Sequence, residues 1–420
     1  MEESQWGLNS NVADNLLNRK NIQMKKGIYK MDSELKYGIY LGLRVVTVIL
    51  AIALFYVIIA FSNIPIIMTA RNLWIETAMS TADHQWLATK FLPKSSIDRA
   101  MSERVETPEG FVSDPDFIRQ EMEAAKMSDL VTADGSEDEQ KEEHAPSSTK
   151  EWVFGPTAAP KTDEFGNSIL VYDPVEEILV VEIKALSYTG RLIIVEDPSR
   201  VIVRQVGGQK EFGKFVCDYM DEYDAIAGMN GNGFMDPEGH GRGGDIIGWS
   251  VSNGVAWGSG QKATYDSVGF TTDDALIVGR IKDFETHAIR DLIQYGPTLI
   301  ANGKQLLSGS SGWGLQPRSA IGQKEDGTVI LATFDGRQPG HSIGITVGEV
   351  ADILFQYGCV NAGLCDGGSS SVMAYNGDII GRPSTPMKDT GRYLPNAILI
   401  LKKEAFPATL DEPTETYNNQ

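Results

Sequence analysis

The chain has 420 residues, of which 42% are hydrophobic and 43 are glycine, a composition that suits a loop-rich globular body of one large domain or two ordinary domains. The formal net charge of -20 argues against a nucleic-acid partner, because phosphate backbones select basic surfaces. The three cysteines, Cys217, Cys359 and Cys365, are too few for a disulfide scaffold, and we expect free thiols.

An apolar run near the N-terminus predicts one transmembrane helix. Residues 45–61 are apolar except for Thr47, and the run continues through residues 64–68, which is long enough to cross a bilayer with some tilt. The cations that precede it are Lys25, Lys26, Lys30, Lys36 and Arg44. Few cations follow it, so we expect a cytoplasmic N-terminus and an extracellular body. The long segment before the run favours an uncleaved signal-anchor in the cell membrane.

Composition divides the chain into six predicted segments. Residues 132–150 are acidic and nearly free of apolar side chains, so they cannot bury enough surface to order themselves. We expect a cytoplasmic segment at 1–37, a transmembrane anchor at 38–68, a short helical stalk at 69–131, a disordered linker at 132–150, a folded body at 151–405 and a tail at 406–420.

The body reads as an α+β fold with mixed or antiparallel β-sheets and a few packed helices. Strand candidates rich in β-branched residues lie at 169–172, 178–183, 192–195, 201–203 and 225–229. Helical spacing appears from Phe212 to Met220 and after Thr346, where Glu349 completes a capping box. Asn253-Gly254 and Asn376-Gly377 predict type I′ hairpins. A repeating strand-helix unit is absent, which favours antiparallel pairing.

Polar and glycine residues follow the strand at 225–229. Asn230 and Gly231 stand at its end, where ligand groups commonly project. The next loop, 235–244, is glycine-rich and carries Asp236 and His240. It fits a mobile lid over a site or a solvated loop equally well.

Two further loops carry arginines beside strands. Arg318 stands at a strand entrance and suits bidentate capture of a phosphate, although a surface ion pair is the alternative. Arg337 and His341 follow the strand at 329–334 and allow the same two interpretations. Asp335, in the same loop, could supply an acid–base group or simply cap a turn.

The segment at 361–371 is the strongest candidate for a site. Asp366 leaves an apolar run directly into Gly367, Gly368 and three serines, between a helix and a hairpin. Glycines allow close backbone approach, and exposed N–H and hydroxyl groups can hold the oxygen of an anion or a sugar. A tight turn in which the acid caps its own amides is the alternative. The long apolar approach and the hydroxyls favour a substrate site at Asp366, Ser369 and Ser370.

Five motifs occur in the order found in the phosphodiester glycosidase domain family, the family of the lysosomal uncovering enzyme. They are Asn-Gly-x-Gly-Phe at 230–234, Gly-Pro-Thr-Leu-Ile at 296–300, Pro-Arg-Ser-Ala-Ile-Gly at 317–322, Asp-Gly-Arg at 335–337 and Asp-Gly-Gly-Ser-Ser at 366–370. The resemblance extends from about Ile178 to Leu401, so it implies that 151–405 is the catalytic domain. The anchored layout resembles a bacterial branch associated with exopolysaccharide.

The resemblance implies hydrolysis of a sugar-1-phosphodiester at its glycosidic C1–O bond. It matches Asp366, Arg318 and Asp335 to catalytic motifs, and Asn230 and Arg337 to binding motifs. The full expected substrate-binding set is Asn230, Gly231, Gly367, Gly368, Ser369, Ser370, Arg337, His240 and His341. Asp366 is expected to be nucleophile or base, and a second acid–base group is open among Asp335, Asp236 and His240.

The chemistry is consistent with a single carboxylate. A phosphodiester leaving group is a weak base, so an arginine that balances its charge can replace a general acid. We expect no cofactor, and no metal-ligand spacing is present, although a divalent cation between Asp366 and Asp335 stays open. Two alternatives also stay open: a glycan-binding or assembly factor without activity, and a glycosidase or transferase acting on neutral glycosides.

Overall fold

The structure is a computed structural model that describes residues 7–81, 84–116, 118–120, 122, 161–207, 212–236, 243–259, 265–387 and 389–404. The expected linker at 132–150 and tail at 406–420 lie outside these ranges. The chain divides into two compact units, residues 1–71 and 72–420.

The first unit is dominated by the long helix α1, Gly7–Phe61. Its stretch Leu35–Phe61 is 27 residues of exposed apolar helix, long enough to cross a membrane as a single-pass anchor or a signal sequence would. Arg71 donates to the carbonyls of Ala60 at 3.1 Å and Ser62 at 3.0 Å, which satisfies acceptors that the helix end leaves open.

The apolar run beyond α1 does not continue as one helix. Helix α2 spans Pro65–Met79, and the residues between the two helices are not helical. A proline starts a helix well but disfavours helical conformation in the residue before it, here Ile64. The predicted anchor at 38–68 therefore contains a break that hydropathy alone did not indicate.

In the second unit, the helices are α3 Trp86–Thr89, α4 Lys94–Ser102, α5 Val216–Glu222 and α6 Val347–Gln356. The strands are β1 Ser168–Asp173, β2 Ile178–Lys184, β3 Thr189–Val195, β4 Val201–Gln205, β5 Ala225–Asn230, β6 Phe234–Met235, β7 Asp245–Ile246, β8 Gly248–Ser252, β9 Val255–Ser259, β10 Asp266–Thr271, β11 Leu276–Gly279, β12 Ile289–Tyr295, β13 Thr298–Ala301, β14 Lys304–Gln305, β15 Arg318–Lys324, β16 Val329–Phe334, β17 Cys359–Cys365, β18 Met373–Tyr375, β19 Asp378–Ile379 and β20 Asn396–Leu401.

These strands form three main sheets and a short ribbon, and the pairings between them are antiparallel. Sheet 1 has the order β1-β2-β3-β16-β15-β17-β13-β14, sheet 2 the order β11-β10-β12-β8-β9, and sheet 3 the order β19-β18-β5-β20-β4. The ribbon pairs β6 with β7. The predicted α+β class with antiparallel sheets is confirmed.

Sheet 1 is covered on both faces. Alternate residues of β2 belong to different apolar clusters: Leu179 and Val181 pack with helix α6, whereas Ile178 and Val180 pack against sheets 2 and 3. Helix α5 covers the other face of sheet 3. Strands buried on both faces read as continuous apolar runs, which explains the sequence of β2, β3, β16 and β17.

Local sequence signals explain the ends of several elements. Thr346 accepts the Glu349 N–H at 3.2 Å, and the Glu349 carboxylate accepts the Thr346 N–H at 2.9 Å, so the predicted capping box is present. Both hairpin turns adopt the positive φ angles of a type I′ turn, 49° at Asn253 and 51° at Asn376. Helix α5 begins at Val216, later than the predicted Phe212, because the Asp218 carboxylate caps the Phe215 N–H.

The segment expected to form a stalk packs against the body where the structure describes it. Thr77 accepts the Leu315 N–H on its hydroxyl at 2.9 Å, and its carbonyl accepts the Gln316 side-chain amide at 2.8 Å. Val112 bridges Gly279 at the edge of sheet 2. Residues from 72 onward thus belong to the same compact unit as the sheets.

Candidate active site

Three neighbouring strands of sheet 1 place the predicted catalytic residues at one edge. Strand β15 begins at Arg318, β16 ends at Phe334 and β17 ends at Cys365, with Arg318 opposite Phe334 and Ser319 opposite Cys365. Asp366 and Asp335 therefore leave the sheet beside Arg318. The Gly368 N–H donates to the Pro317 carbonyl at 2.9 Å, which fastens the loop after β17 to the entrance of β15.

The Asp366 carboxylate is recessed and partly exposed. It accepts the Gly367 N–H at 2.9 Å, and the nearby hydroxyls of Ser370 and Tyr295 also stabilise its negative charge, which lowers its pKa. Burial raises the pKa of Asp366 to about 6, because desolvation outweighs these donors and the nearby Arg392 cation. A carboxylate with this pKa is ionised at neutral pH yet basic enough to accept a proton.

Tyr295 is a site residue that sequence reasoning missed. It ends strand β12 of sheet 2. A Cβ atom on Gly233 would lie 3.4 Å from the Tyr295 ring and 3.7 Å from the Asp366 Oδ1, so the ring and the carboxylate lie close together. Burial, and next the Asp366 charge, raise the pKa of Tyr295, so its hydroxyl is protonated and donates at neutral pH. Its position directly before the Gly-Pro-Thr-Leu-Ile motif at 296–300 was the available signal.

The Arg318 guanidinium is almost fully buried, with 4% of the residue exposed. Its Nη2 donates to the carbonyls of Trp313 at 2.8 Å and Gly314 at 3.1 Å, while its Nε has no hydrogen-bond partner among the described residues. Burial lowers the pKa of Arg318 to about 10, and the neighbouring cations Arg104 and Arg337 act in the same direction. The side chain stays charged at neutral pH with a donor to spare.

Arg104 and a cavity beside Tyr295 were also missed. The Arg104 guanidinium lies 3.3 Å from the centre of the Trp313 ring. Arg104, Tyr295 and Trp313 line a cavity of about 320 Å³ together with Glu106, Thr107, Tyr265, Asp266, Arg280, Gly296 and Pro297. No sequence pattern links residue 104 to the site, because the segment reaches it only through tertiary contacts.

Asn230 lies beneath Asp366 and is fully buried. Its Nδ2 donates to the Asp366 carbonyl at 2.7 Å, and its Oδ1 accepts from the Ser319 hydroxyl at 2.7 Å and the Val372 N–H at 3.1 Å. The Gly231 carbonyl accepts the Asp366 N–H at 2.9 Å. These bonds favour a positioning role for Asn230 and Gly231 over the direct substrate contact expected from the sequence.

A buried asparagine pair holds the loop that follows Asn230. The Asn396 Oδ1 accepts the Asn232 N–H at 2.8 Å, and the Asn396 Nδ2 donates to the Asn232 Oδ1 at 2.8 Å. A Cβ atom on Gly231 would lie 2.5 Å from the Asn396 Oδ1, so the close approach requires glycine.

The turn after Asp366 has its own supports. Gly368 has a φ of +64°, and a Cβ atom there would lie 3.0 Å from the Arg337 Nη2. The Ser369 hydroxyl accepts from Arg392 at 2.8 Å, and Arg392 also pairs with Asp236. Arg392 was not predicted, although it supplies positive charge beside Asp366.

The Asp335 carboxylate is bound by side chains and backbone outside the loop that carries Asp366. Its carboxylate accepts from Arg191 at 2.5 Å, from the Arg382 N–H at 2.9 Å, and contacts the His341 Nε2 at 2.8 Å. Such a network favours a structural role for Asp335 and His341 over the expected catalytic and binding roles. Arg337 donates to the Gln316 Oε1 at 2.8 Å and lies against Gly368.

His240 lies outside the described residues, as does most of the predicted lid. Within the described ranges, no group of three or more His, Cys, Asp or Glu side chains could hold a metal ion. The three cysteines are free.

Comparison with known proteins places this site in a family. The phosphodiester glycosidase family profile matches residues 223–401, which include Asn230, Tyr295, Arg318 and Asp366. An uncharacterized SPbeta prophage-derived protein of Bacillus subtilis, YomE, is 30% identical in an alignment of length 154 that covers 33% of this chain and 23% of that protein. The chain thus aligns with about a quarter of that relative's length.

Solved structures also resemble the chain. The zebrafish N-acetylglucosamine-1-phosphodiester alpha-N-acetylglucosaminidase catalytic domain, auto-inhibited by its pro-peptide, is 21% identical with a TM-score of 0.46, over 62% of this chain and 96% of that one. A putative exported protein of Burkholderia pseudomallei is 15% identical with a TM-score of 0.37, over 51% and 74%. Residues 223–401, with Asp366 and Arg318 at one sheet edge, belong to the phosphodiester glycosidase family.

Proposed function

We propose that the protein is a membrane-anchored hydrolase that cleaves the C1–O bond of a sugar-1-phosphodiester in cell-envelope or exopolysaccharide glycans. One observation carries the proposal. The register of β15 with β17 sets Ser319 opposite Cys365, so Arg318 and Asp366 lie next to each other at the same end of neighbouring strands. A carboxylate and an arginine with an unused donor thus share one site in a domain of this family.

The reaction needs charge balance at the leaving group more than it needs an acid. When the C1–O bond breaks, its electron pair stays on the phosphate oxygen, and a water oxygen finally replaces it at C1. Arg318 is placed to balance the phosphate charge, so the phosphomonoester departs without protonation. Tyr295 holds the Asp366 carboxylate in position and remains protonated.

Two roles fit Asp366, and stereochemistry separates them. As a nucleophile, Asp366 attacks C1 and forms a glycosyl ester that water then hydrolyses with net retention. As a base, Asp366 removes a proton from the water that attacks C1, with net inversion. Proton NMR of the first sugar product identifies its anomeric configuration and therefore the role.

The charge distribution supports a local rather than a general attraction of anions. The whole chain carries a net charge of -20, which repels an anionic polymer at long range. Arg104 and Arg337 nevertheless lie close enough to Arg318 to lower its pKa. This cluster offers a phosphate positive charge where it is needed.

Activity is tested with the full-length chain in detergent. Synthetic sugar-1-phosphodiesters and matched neutral glycosides are incubated with the protein, and released sugar is measured. We expect release from the phosphodiester and its loss in Asp366→Asn. Cleavage of neutral glycosides alone would indicate an ordinary glycosidase, and glycan affinity without release would indicate a binding protein.

The proposed topology places the body outside the cell. The Leu35–Phe61 helix serves as the anchor, and the cations Lys25, Lys26, Lys30, Lys36 and Arg44 favour a cytoplasmic N-terminus. Protease added to intact cells should digest the body and spare an N-terminal epitope. Protection of the body would contradict this orientation.

A further inference from the structure

Arg104 lies outside the matched family domain but close to its candidate site. The residue follows helix α4, well before residue 223, yet its guanidinium stacks on the Trp313 ring at 3.3 Å. The carbonyl of the same tryptophan accepts the Arg318 Nη2 at 2.8 Å. Trp313 therefore contacts both arginines, one through its ring and one through its backbone.

The backbone around Arg104 is fixed to the same loop. The Val105 N–H donates to the Ser311 carbonyl at 3.0 Å, and the Trp313 indole N–H donates to the Val105 carbonyl at 2.9 Å. A Cβ atom on Gly312 would lie only 2.4 Å from the Arg104 Cα. This close packing means that Arg104 is built into the site and is not a surface side chain that happens to lie near it.

The charges in the cavity leave Arg104 with unused binding capacity. Arg280, the second arginine of the lining, pairs with Asp266 at 3.3 Å and Glu106 at 3.4 Å. The Asp266 carboxylate also accepts the Thr298 N–H at 2.7 Å. The buried Arg104 Nε makes no hydrogen bond to any described residue. Arg104 is therefore the lining cation best able to bind an added anion.

We propose that Arg104 is a second phosphate-binding residue, which acts with Arg318 on the departing phosphate. This inference rests on the proposed function. A phosphodiester carries one negative charge, and cleavage of its C1–O bond adds a second to the phosphomonoester that leaves. Arg318 balances the charge already present, and Arg104 balances the charge that develops. An interaction that strengthens as the bond breaks accelerates the reaction and not only binding.

Selectivity for phosphate follows from the same arrangement. The other charged side chains of the cavity, Arg280, Glu106 and Asp266, are ion-paired but carry a net charge of -1. Arg104 offsets that charge, and without it the cavity would repel a phosphate. Arg104 should thus matter for substrates with a phosphate next to C1 and not for substrates without one.

The test compares Arg104→Gln with Arg99→Gln, a matched change of an exposed arginine on α4. Full-length proteins in detergent are assayed on a sugar-1-phosphodiester and on the glycosyl fluoride of the same sugar, whose leaving group carries no phosphate. We expect Arg104→Gln to lower kcat/KM for the phosphodiester about 100-fold, the effect of losing one charge-stabilising donor. The fluoride reaction and Arg99→Gln should stay within about twofold of wild type.

The proposal would be overturned if Arg104→Gln lost kcat/KM equally on both substrates, or if its Tm fell below that of Arg99→Gln. Either result would mean that Arg104 has only a structural role. An unchanged kcat/KM for the phosphodiester would also overturn it. Calorimetry with inorganic phosphate separates this result from failure of the proposed function. If wild type cleaves no phosphodiester, a roughly tenfold weaker phosphate Kd in Arg104→Gln still supports the anion site, and an unchanged Kd refutes it.

Discussion

Replacement of Asp366 by Asn should abolish activity while making the folded protein more stable at neutral pH. Burial raises the pKa of Asp366 from its ordinary 3.8 to about 6, so the folded state destabilises the ionised carboxylate. The difference of about 2.2 in pKa, at about 1.4 kcal/mol for each pKa unit, corresponds to about 3 kcal/mol. Asparagine resembles the protonated acid in shape and carries no charge.

The sign of this effect depends on pH. Above about pH 6 the native carboxylate is charged and the full penalty applies, so Asp366→Asn gains stability there. Below about pH 4 the acid is protonated in both the folded and the unfolded state, and the gain disappears. Between these values the stability of wild type falls as pH rises, relative to the variant.

Guanidinium unfolding of the full-length protein in detergent, followed by tryptophan fluorescence between pH 4 and pH 7.5, measures the difference. Asp98→Asn, at an exposed position on α4, is the control and should stay within about 0.5 kcal/mol of wild type. If Asp366→Asn were less stable than wild type at pH 7.5, the claim that burial destabilises the ionised form of this carboxylate would be refuted. Retained turnover would remove Asp366 from the mechanism.

The pH profile of kcat/KM should fall below an apparent pKa of about 6, as Asp366 becomes protonated, and a flat profile down to pH 5 would contradict its role. Arg318→Lys should reduce phosphodiester kcat/KM about 100-fold or more, because a single ammonium nitrogen cannot stand both beside the two backbone carbonyls, as Nη2 does, and at the position of a second guanidinium nitrogen. Steady-state kinetics tests this. Asn230→Ala should lower the free energy of unfolding by about 2–3 kcal/mol, because it leaves the Val372 N–H and the Asp366 carbonyl without their partner. It should also remove most of the activity. Thermal unfolding measures the first effect and kinetics the second. Asp335→Asn should lower Tm with a smaller effect on kcat, since it weakens the Arg191 pair, and total inactivation of a folded variant would restore its catalytic role.

The fold was predictable where local chemistry decides it. The Thr346–Glu349 capping box, the Asn-Gly turns and the apolar runs of β2 and β16 act over a few residues, and the structure confirms them. The order of strands in the sheets was not predictable, because pairing joins residues that lie far apart in the chain. The break before Pro65 was missed because hydropathy does not register backbone restriction.

Some residues of the candidate site were predictable from the sequence and others were not. Motif resemblance pointed to Asp366 and Arg318, and the register of β15 with β17 brings them to one edge. Sequence could not separate a side chain that touches substrate from one that holds the backbone of the site. Asn230 was expected to bind substrate, whereas the bond from its Nδ2 goes to the Asp366 carbonyl. Tyr295 belongs to sheet 2 and Arg104 to the segment after α4. Only the tertiary structure brings Tyr295 to Asp366 and Arg104 to Trp313, which binds Arg318.

Strand β16 pairs with β3 along its whole length, from Val329 with Val195 to Phe334 with Gly190, and β3 lies before the matched family domain. A fragment that begins at residue 223 would turn β16 into an edge strand, with unpaired N–H and carbonyl groups next to apolar side chains such as Leu331. Bare edges of this kind recruit other chains. Truncation at the family boundary should therefore yield aggregates, whereas a start upstream of Ser168 keeps the edge covered.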